Sequence, residues 1–342
     1  MKIGIVGYQG SGKTTLFEWL TGVAADLAVA HLGQSAMAAV PEPRIAELCE
    51  IYKPKKITMA SLELVDTPGL SRTHEGNAAR LGLIREAGCL VLVVAAFDGS
   101  DPLADVASFR EDTLLADLEI VSGRVERLRD SVKRPRPNRD QELAELASLE
   151  SVLQSLEAGK PLAASAMNEE QFKATRSFRL MSEKPMLVLI NAADDDEDLD
   201  RYGRALADST PCIAVRVGLE RELARMSPED RAAFEEEMGL SGSRKDDVLR
   251  MMLDVSGQML YFTAGEKEVR TWMLRQGGSA LEAAANIHTD LARGFIRAEV
   301  MQCADLVRLG SEREIKAANL VRQEPKDYVI RDGDILNIKF SV

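Results

Sequence analysis

Residues 7–15 read GYQGSGKTT, and this stretch decides the fold of the 342-residue chain. An apolar run at 3–6 precedes it and a helical pattern at 16–20 follows, so we expect a strand, a loop and a helix in that order. Glycines in such a loop let consecutive backbone N–H groups turn inward around phosphate oxygens, and the helix adds its positive N-terminal end. The stretch therefore predicts a phosphate-binding loop rather than an ordinary glycine-rich turn.

This loop supplies most of the candidate nucleotide-binding residues. Lys13 can reach the β- and γ-phosphates and is the candidate catalytic residue, and the hydroxyl of Thr14 is placed to ligate Mg²⁺. The loop residues predicted to contact the nucleotide are Gly7, Gly10, Ser11, Gly12, Lys13, Thr14 and Thr15. The expected substrate is ATP or GTP, with Mg²⁺ as the cofactor.

A second motif, DTPG at 66–69, follows a strand-like run. Asp66 at the end of a strand can hold Mg²⁺ through a water, and Gly69 can offer its backbone N–H to the γ-phosphate. Alone this motif is typical of a plain turn, but together with the phosphate-binding loop it indicates a switch NTPase. Leu70 stands where many GTPases place a glutamine that orients the attacking water, so we expect hydrolysis to be slow or to use another group.

Other switch residues are missing or ambiguous. The segment 24–40, where a magnesium-binding threonine is expected, offers only Ser35 as a hydroxyl. His31 and His74 lie in switch-like segments, and each is either a catalytic or an ordinary surface histidine.

The stretch 189–194, LINAAD, occupies the place where GTPases carry the base-reading loop Asn-Lys-x-Asp. Asn191 and Asp194 match that loop and are the candidate base-binding residues, but Ala192 takes the place of the lysine. Alternatively, Asn191 only caps a strand and Asp194 only begins an acidic loop.

Strands and helices alternate through the first half of the chain, and apolar runs return at 89–97, 186–190 and 212–217. This pattern predicts a doubly wound α/β sheet of the P-loop NTPase type with its ligand at the carboxyl ends of the strands.

Leucines and valines spaced by three or four residues on both sides of a proline-bearing break at 134–138 predict an inserted antiparallel helical hairpin. From about residue 259 the pattern changes to short strands and turns, as in a separate α+β module. The predicted domains are a nucleotide-binding domain (1–114 and 182–257), the hairpin insertion (115–181) and a C-terminal module (258–342).

The tip of the predicted hairpin is basic, with Lys133, Arg134, Arg136 and Arg139. It is either a solvated turn or a finger that contacts RNA or a ribosomal surface.

Composition limits the class of protein. The formal net charge of −12 argues against a protein that coats nucleic acid nonspecifically, so any RNA contact must come from local patches. No apolar stretch approaches the roughly 20 residues of a membrane span, and because the sequence opens on a strand-like run we expect no signal peptide. The four cysteines lie far apart without metal-binding spacing, which favours free thiols and a cytoplasmic location. A monomer without membrane contact is expected.

Several stretches resemble signatures of the YchF/Obg-like ATPase family, in the family's order along nearly the whole chain. The matching stretches are PEPR (41–44), KPKK (53–56), LEREL (219–223), YFTAGEKEVR (261–270), IHTD (287–290), GFIRAE (294–299), KDY (326–328) and DGD (332–334). The resemblance implies a translation-factor-class nucleotide domain and a C-terminal TGS domain, a β-grasp fold associated with RNA or ribosome binding. It also implies a hydrophobic residue in place of the catalytic glutamine, as at Leu70, and a preference for ATP in many members.

The chain departs from the family pattern at three places. Asp194 replaces a glutamate of the base-reading loop, the segment 24–40 lacks the family's threonine, and the phosphate-binding loop reads GSGKTT instead of the usual NVGKST. We therefore identify the chain as a divergent member of the family.

The sequence favours a cytosolic Mg²⁺-dependent nucleoside triphosphatase that associates with ribosomes or RNA through the hairpin tip and the TGS-like module, as a nucleotide-state switch. Because Ala192 replaces the guanine-associated lysine, we expect ATP to be preferred over GTP. The alternative is a nucleotide-sensing RNA- or ribosome-binding module with little or no hydrolysis. A small-molecule phosphotransferase is a third possibility, since GSGKT also opens many kinases, but no arginine-rich lid motif is present and a kinase does not explain the C-terminal module.

Overall fold

A computed structural model describes residues 1–26, 28, 31–160, 162, 167–206, 210–238 and 244–341. The chain forms two compact units, residues 1–36 with 63–244 and residues 37–62 with 245–342. The predicted domain bounds place 37–62 with the nucleotide-binding residues, whereas the structure groups this segment with the C-terminal residues. The division into three predicted domains stays a prediction.

The secondary structure elements follow the predicted alternation. The strands are β1 (Lys2–Val6), β2 (Gln34–Ala39), β3 (Ile57–Thr58), β4 (Ser61–Asp66), β5 (Cys89–Ala96), β6 (Met186–Ala192), β7 (Cys212–Val215), β8 (Gln258–Ala264), β9 (Val269–Arg275), β10 (Phe295–Gln302), β11 (Arg322–Glu324) and β12 (Asp334–Phe340). The helices are α1 (Lys13–Thr21), α2 (Arg44–Tyr52), α3 (Asn77–Ile84), α4 (Pro102–Ser131), α5 (Arg139–Glu157), α6 (Glu169–Thr175), α7 (Asp200–Ala205), α8 (Val217–Leu223), α9 (Pro228–Glu237), α10 (Lys245–Val255), α11 (Ala280–Ile287), α12 (Thr289–Arg293), α13 (Cys303–Leu309) and α14 (Glu312–Ala317).

The first sheet has the strand order β2-β4-β1-β5-β6-β7, and neighbouring strands from β4 to β7 run parallel. Its central strand β5 reads CLVLVVAA and is buried over seven of its eight residues, as expected for a strand covered on both faces. The loops after β1, β4 and β6 all leave the carboxyl edge, where ligands bind in sheets of this kind. The predicted doubly wound sheet is confirmed.

The predicted insertion is an antiparallel pair of helices, α4 and α5, joined by a turn at 132–138. Its core contains apolar residues spaced three or four apart within each helix, Val121, Val125 and Leu128 in α4 and Leu149, Val152 and Leu156 in α5, together with Leu162 and Leu180. Leu115 and Leu143, which belong to the predicted apolar pattern, are exposed instead. The first helix begins earlier than predicted, because Asp101 caps it by accepting from the N–H groups of Leu103 and Ala104.

One buried carboxylate links the insertion to the chain that returns to the sheet. Asp117 of α4 is fully buried and accepts a hydrogen bond from Arg85 at 2.9 Å. It also accepts from the backbone N–H groups of Met181 and Ser182 and from the Ser182 hydroxyl. These hydrogen bonds offset the cost of burying the Asp117 charge, and the donors would lose their acceptor without it.

We expect Asp117→Ala to lower the free energy of unfolding by about 3 kcal/mol, because it leaves the Arg85 charge and two backbone N–H groups buried without their acceptor. Urea unfolding followed by circular dichroism measures this change. The exposed carboxylate Asp130 on the same helix provides the control Asp130→Ala, which should change stability by less than about 0.5 kcal/mol. Equal stability of the two variants would contradict the assigned role.

The second sheet, in the other unit, has the order β11-β10-β12-β8-β9-β3. β12 runs parallel to β8 and antiparallel to β10, and α11 packs on this sheet through Ala280, Ala283 and Ala284. Such a mixed sheet covered by a helix is the predicted β-grasp arrangement, which is confirmed. Strand β3 pairs with β9 in this sheet, whereas β4, which follows β3 closely in the sequence, belongs to the first sheet.

No helix in the described part of the chain is long and apolar enough to cross a membrane.

Candidate functional site

The loop between β1 and α1 is shaped by glycines at positions that exclude other residues. Gly7, Gly10 and Gly12 all have positive φ angles, of 140°, 82° and 92°. A β-carbon on Gly7 would lie 2.3 Å from the carbonyl oxygen of Val93, and one on Gly12 would lie 2.2 Å from Nδ2 of Asn191. The loop therefore takes the tight turn that a phosphate-binding loop requires.

Lys13 begins α1 and is buried, with only 6% of its surface exposed. Its Nζ donates to the carbonyl oxygen of Tyr8 at 2.7 Å, which fixes the ammonium group over the loop. Burial lowers the pKa of Lys13 to about 8, and the Asp66 carboxylate opposes this effect. Among the described residues no carboxylate forms a salt bridge with this buried ammonium group, so Lys13 is well placed to bind anions.

Thr14 and Asp66 come together although 52 positions separate them in the sequence. The Thr14 hydroxyl donates to Oδ2 of Asp66 at 2.7 Å. Oδ1 of Asp66 is buried without a hydrogen-bond partner among the described residues, and burial raises the pKa of this carboxyl despite the Thr14 bond and the Lys13 charge. A hydroxyl beside an unsatisfied carboxylate oxygen is the oxygen donor set that fits Mg²⁺.

The motif after Asp66 lies directly on the phosphate-binding loop. A β-carbon on Gly69 would lie 2.8 Å from Nζ of Lys13 and 3.1 Å from Cα of Gln9. The next residue, Leu70, bonds to the loop through its backbone, accepting from Gln9 N–H at 2.9 Å and donating to the Gly7 carbonyl at 3.0 Å. The segment that follows, residues 71–76, is named the switch segment.

The side chain of Leu70 is fully buried and belongs to the apolar core beneath the sheet edge, together with Tyr8 and Leu92. It is both apolar and turned into the core, so it offers no group to a water molecule near the phosphates. The burial of Leu70 is therefore one reason why we expect hydrolysis to be slow.

Asn191 connects the predicted base-reading loop to the phosphate-binding loop. Its Nδ2 donates to the carbonyl oxygen of Ser11 at 3.1 Å, and its Oδ1 accepts from Val217 N–H at 3.2 Å. Asn191 therefore does more than end its own strand, because its two hydrogen bonds connect the segments that follow β1 and β7 to the end of β6.

Asp194 lies at the start of α8, where its Oδ1 accepts from Leu219 N–H at 3.1 Å. Gly218 approaches the same carboxylate, since a β-carbon there would lie 3.3 Å from Oδ1. Ala192 is 3% exposed and packs in the core, so this position presents no side chain to a base. The role of Asp194 in base recognition stays a prediction.

The remaining predicted residues differ in surroundings. Ser11 is buried and its hydroxyl has no partner among the described residues, while Gly10 has open space around it and Thr15 is half-buried in α1. His31 and Ser35 are exposed. Their predicted roles are not decided by these contacts.

Tyr8 and Asp112, which were not predicted as site residues, form a buried hydrogen bond of 2.8 Å at this site. The sequence offered one signal for this bond, because Tyr8 is an aromatic residue with a hydroxyl inside a glycine-rich loop. Asp105 and Asp112 on α4 gave a second signal, since a spacing of seven places two carboxylates on one helix face.

The tight glycine loop after β1, the buried Lys13 over it and the Thr14–Asp66 pair define a P-loop nucleoside triphosphatase. Residues 2–121 match the family model MMR_HSR1, described as a 50S ribosome-binding GTPase. Residues 259–341 match the model YchF-GTPase_C, whose description reads protein of unknown function. The chain belongs to the YchF/Obg-like ATPase family, as its full-length relatives show.

Two such relatives cover all of this chain. It is 31% identical to the Ribosome-binding ATPase YchF of Haemophilus influenzae, over 99% of that protein. It is 34% identical to Obg-like ATPase 1 of Oryza sativa subsp. japonica, over 92% of that protein. Among solved structures, the Schizosaccharomyces pombe YchF GTPase superposes with a TM-score of 0.85 at 27% identity and covers 99% of this chain and 97% of its own.

Proposed function

We propose that this protein is a cytosolic, Mg²⁺-dependent nucleoside triphosphatase that binds ribosomes or ribosomal RNA and changes its affinity for them with its nucleotide state. The observation that carries the switch is the contact of Gly69 with Lys13, since a β-carbon on Gly69 would lie within 2.8 Å of Nζ. A γ-phosphate bound by Lys13 would meet the backbone of Gly69 directly. Binding and loss of that phosphate would then move the chain that leads into the switch segment.

The chemistry assigned to each residue follows from its contacts. Lys13 would neutralise charge on the β- and γ-phosphates, and the loop N–H groups would hold their oxygens. Thr14 and Asp66 would hold Mg²⁺, which supplies further neutralisation of phosphate charge. Burial disfavours the charges of both Lys13 and Asp66, so the bound phosphates and cation would relieve both.

We propose ATP as the preferred substrate. GTPases of this class use the lysine of the base-reading loop, and this chain has the buried Ala192 there. Two of its relatives are named ATPases, which supports the same choice. Asn191 and Asp194 would border the base, because both lie at the edge that carries the phosphate-binding loop.

The names of relatives and a basic surface support the ribosome as the partner. The tip of the hairpin, residues 132–138 with Arg139, exposes Lys133, Arg134, Arg136 and Arg139. Lys133 pairs with Asp130, and Arg139 donates to the carbonyl oxygen of Val132, so part of this charge is held in place. Fixed, exposed cations suit the phosphates of RNA.

A second basic surface lies in the C-terminal unit. Lys53, Lys55 and Lys56 are exposed next to the β8–β9 turn, where Lys55 N–H donates to the carbonyl oxygen of Glu266. On the neighbouring strand, the Arg270 guanidinium lies 3.9 Å from the ring centroid of Trp272. A stacked arginine beside lysines is a surface on which RNA bases and phosphates can both bind.

We expect Arg134→Glu/Arg136→Glu to weaken ribosome binding about tenfold or more at physiological salt and to reduce the salt dependence of binding, because phosphate contacts are lost. Co-sedimentation with ribosomes in the presence of ATP, a non-hydrolysable ATP analogue or ADP measures both the contact and the nucleotide dependence. The control Lys173→Glu/Arg176→Glu makes the same charge change on two exposed residues, one in α6 and one directly after it. If wild-type protein fails to bind ribosomes in every nucleotide state, the proposed partner is wrong; if the tip variant binds as tightly as the wild type, the contact lies elsewhere.

A further inference from the structure

Tyr8 occupies two roles in the phosphate-binding loop at once. Its backbone carbonyl oxygen accepts from Nζ of Lys13 at 2.7 Å. Its side chain is 2% exposed, packs in the core beside Leu70 and donates its hydroxyl to Oδ2 of Asp112 at 2.8 Å. The residue that positions the catalytic lysine is therefore anchored to α4 by a single hydrogen bond.

The same carboxylate also holds the switch segment. Oδ1 of Asp112 lies 3.1 Å from Nδ1 of His74, whose φ angle of 61° is uncommon for a residue other than glycine. The Asp112 side chain is 8% exposed, whereas the His74 side chain is 69% exposed. The buried carboxylate thus joins a buried residue of the phosphate-binding loop to an exposed residue of the switch segment.

A parallel contact supports this arrangement. The Arg72 guanidinium lies 5.3 Å from the centre of the Tyr8 ring. It also donates to Asp105 at 2.6 Å, a residue of α4 that lies seven positions before Asp112. Tyr8 is therefore held from one side by α4 and covered from the other by the switch segment. Burial and the neighbouring carboxylates raise the pKa of Tyr8, so its hydroxyl stays protonated and donates.

We propose that Tyr8, Asp112 and His74 form a positioning network for nucleotide hydrolysis, in which Asp112 couples the conformation of the switch segment to the placement of Lys13. None of the three residues acts on the phosphates. When His74 leaves, Asp112 loses a partner, and its remaining bond to Tyr8 changes the position of the carbonyl that holds Lys13. Because Leu70 offers no group to orient water, the placement of Lys13 carries a larger share of catalysis here.

Kinetics of three variants test this network without ribosomes. Tyr8→Phe removes only the hydroxyl, and His74→Asn keeps a residue that tolerates positive φ but is too short to reach Asp112. We expect each variant to lower kcat about fivefold while the nucleotide Kd changes less than about twofold, and the double variant to be no slower than either single one. The network predicts this lack of additivity because both changes act through Asp112.

Tyr52→Phe is the matched control, since it removes a phenol–carboxylate hydrogen bond of 2.9 Å to Glu312 in the C-terminal unit. It should leave kcat unchanged. Wild-type kcat in Tyr8→Phe, losses that multiply in the double variant, or an equal loss in Tyr52→Phe would each overturn the proposal.

A second readout does not depend on turnover. The chain has three histidines, so the imidazole NMR signal of His74 is assigned by its loss in His74→Asn. Addition of a non-hydrolysable ATP analogue with Mg²⁺ should shift this signal in the wild type and shift it much less in Tyr8→Phe. An equal shift in both proteins would overturn the coupling. The inference rests on nucleotide hydrolysis alone, so failure of ribosome binding leaves both readouts intact.

Discussion

Lys13→Ala is expected to lower the rate of phosphate release about 10²- to 10³-fold, the usual cost of removing one group that stabilises charge in the transition state. Lys13 is the buried cation of the site, and its Nζ is held by the Tyr8 carbonyl directly beside Gly69. Steady-state phosphate release at saturating nucleotide measures the effect. Nucleotide affinity should fall as well, because the same ammonium group faces the phosphates before and during the reaction.

Lys173→Ala provides the control, since it removes an exposed lysine of the same unit that pairs with Glu169 on its own helix. It should release phosphate at the wild-type rate. If Lys13→Ala retains more than about one third of wild-type activity, the assignment of Lys13 is wrong.

Thr14→Val and Asp66→Asn are expected to raise the Mg²⁺ concentration for half-maximal hydrolysis about 10- to 100-fold. Thr14→Val keeps the shape of the side chain and removes the hydroxyl that lies 2.7 Å from Asp66. Asp66→Asn removes the charge from a carboxylate whose Oδ1 has no partner among the described residues. A titration of phosphate release against Mg²⁺ gives the shift for each variant.

Thr21→Val makes the same change at the other end of α1, where the hydroxyl donates to the Phe17 carbonyl within the helix. Its Mg²⁺ dependence should match that of the wild type. Unchanged Mg²⁺ dependence in both Thr14→Val and Asp66→Asn would show that the cation, if required, is held elsewhere.

The sequence predicted those parts of the fold that rest on local pattern. The run at 89–97 became the buried β5, and the repeating leucines and valines became α4 and α5, because burial follows hydrophobic periodicity. The partner of β3 could not be predicted, since two residues, Ile57 and Thr58, carry no signal for pairing with β9. The grouping of 37–62 with the C-terminal residues depends on such long-range pairing.

The candidate site shows the same division. Lys13, Thr14 and Asp66 were predictable because phosphate and magnesium chemistry demands those residue types at fixed spacing. The Tyr8–Asp112 bond joins residues 104 positions apart, and neither residue type is required by the motif. Such a contact becomes visible only when the fold brings α4 against the phosphate-binding loop.

Phosphate release by the purified protein is the most direct test of the central claim, measured with ATP and with GTP, in Mg²⁺ and in EDTA, beside Lys13→Ala. The expected result is slow release in Mg²⁺ that exceeds both the EDTA reaction and Lys13→Ala, and that is faster from ATP than from GTP. Faster release from GTP would overturn the proposed base preference alone. Release equal to that of Lys13→Ala with both nucleotides would contradict the account of this protein as a P-loop nucleoside triphosphatase.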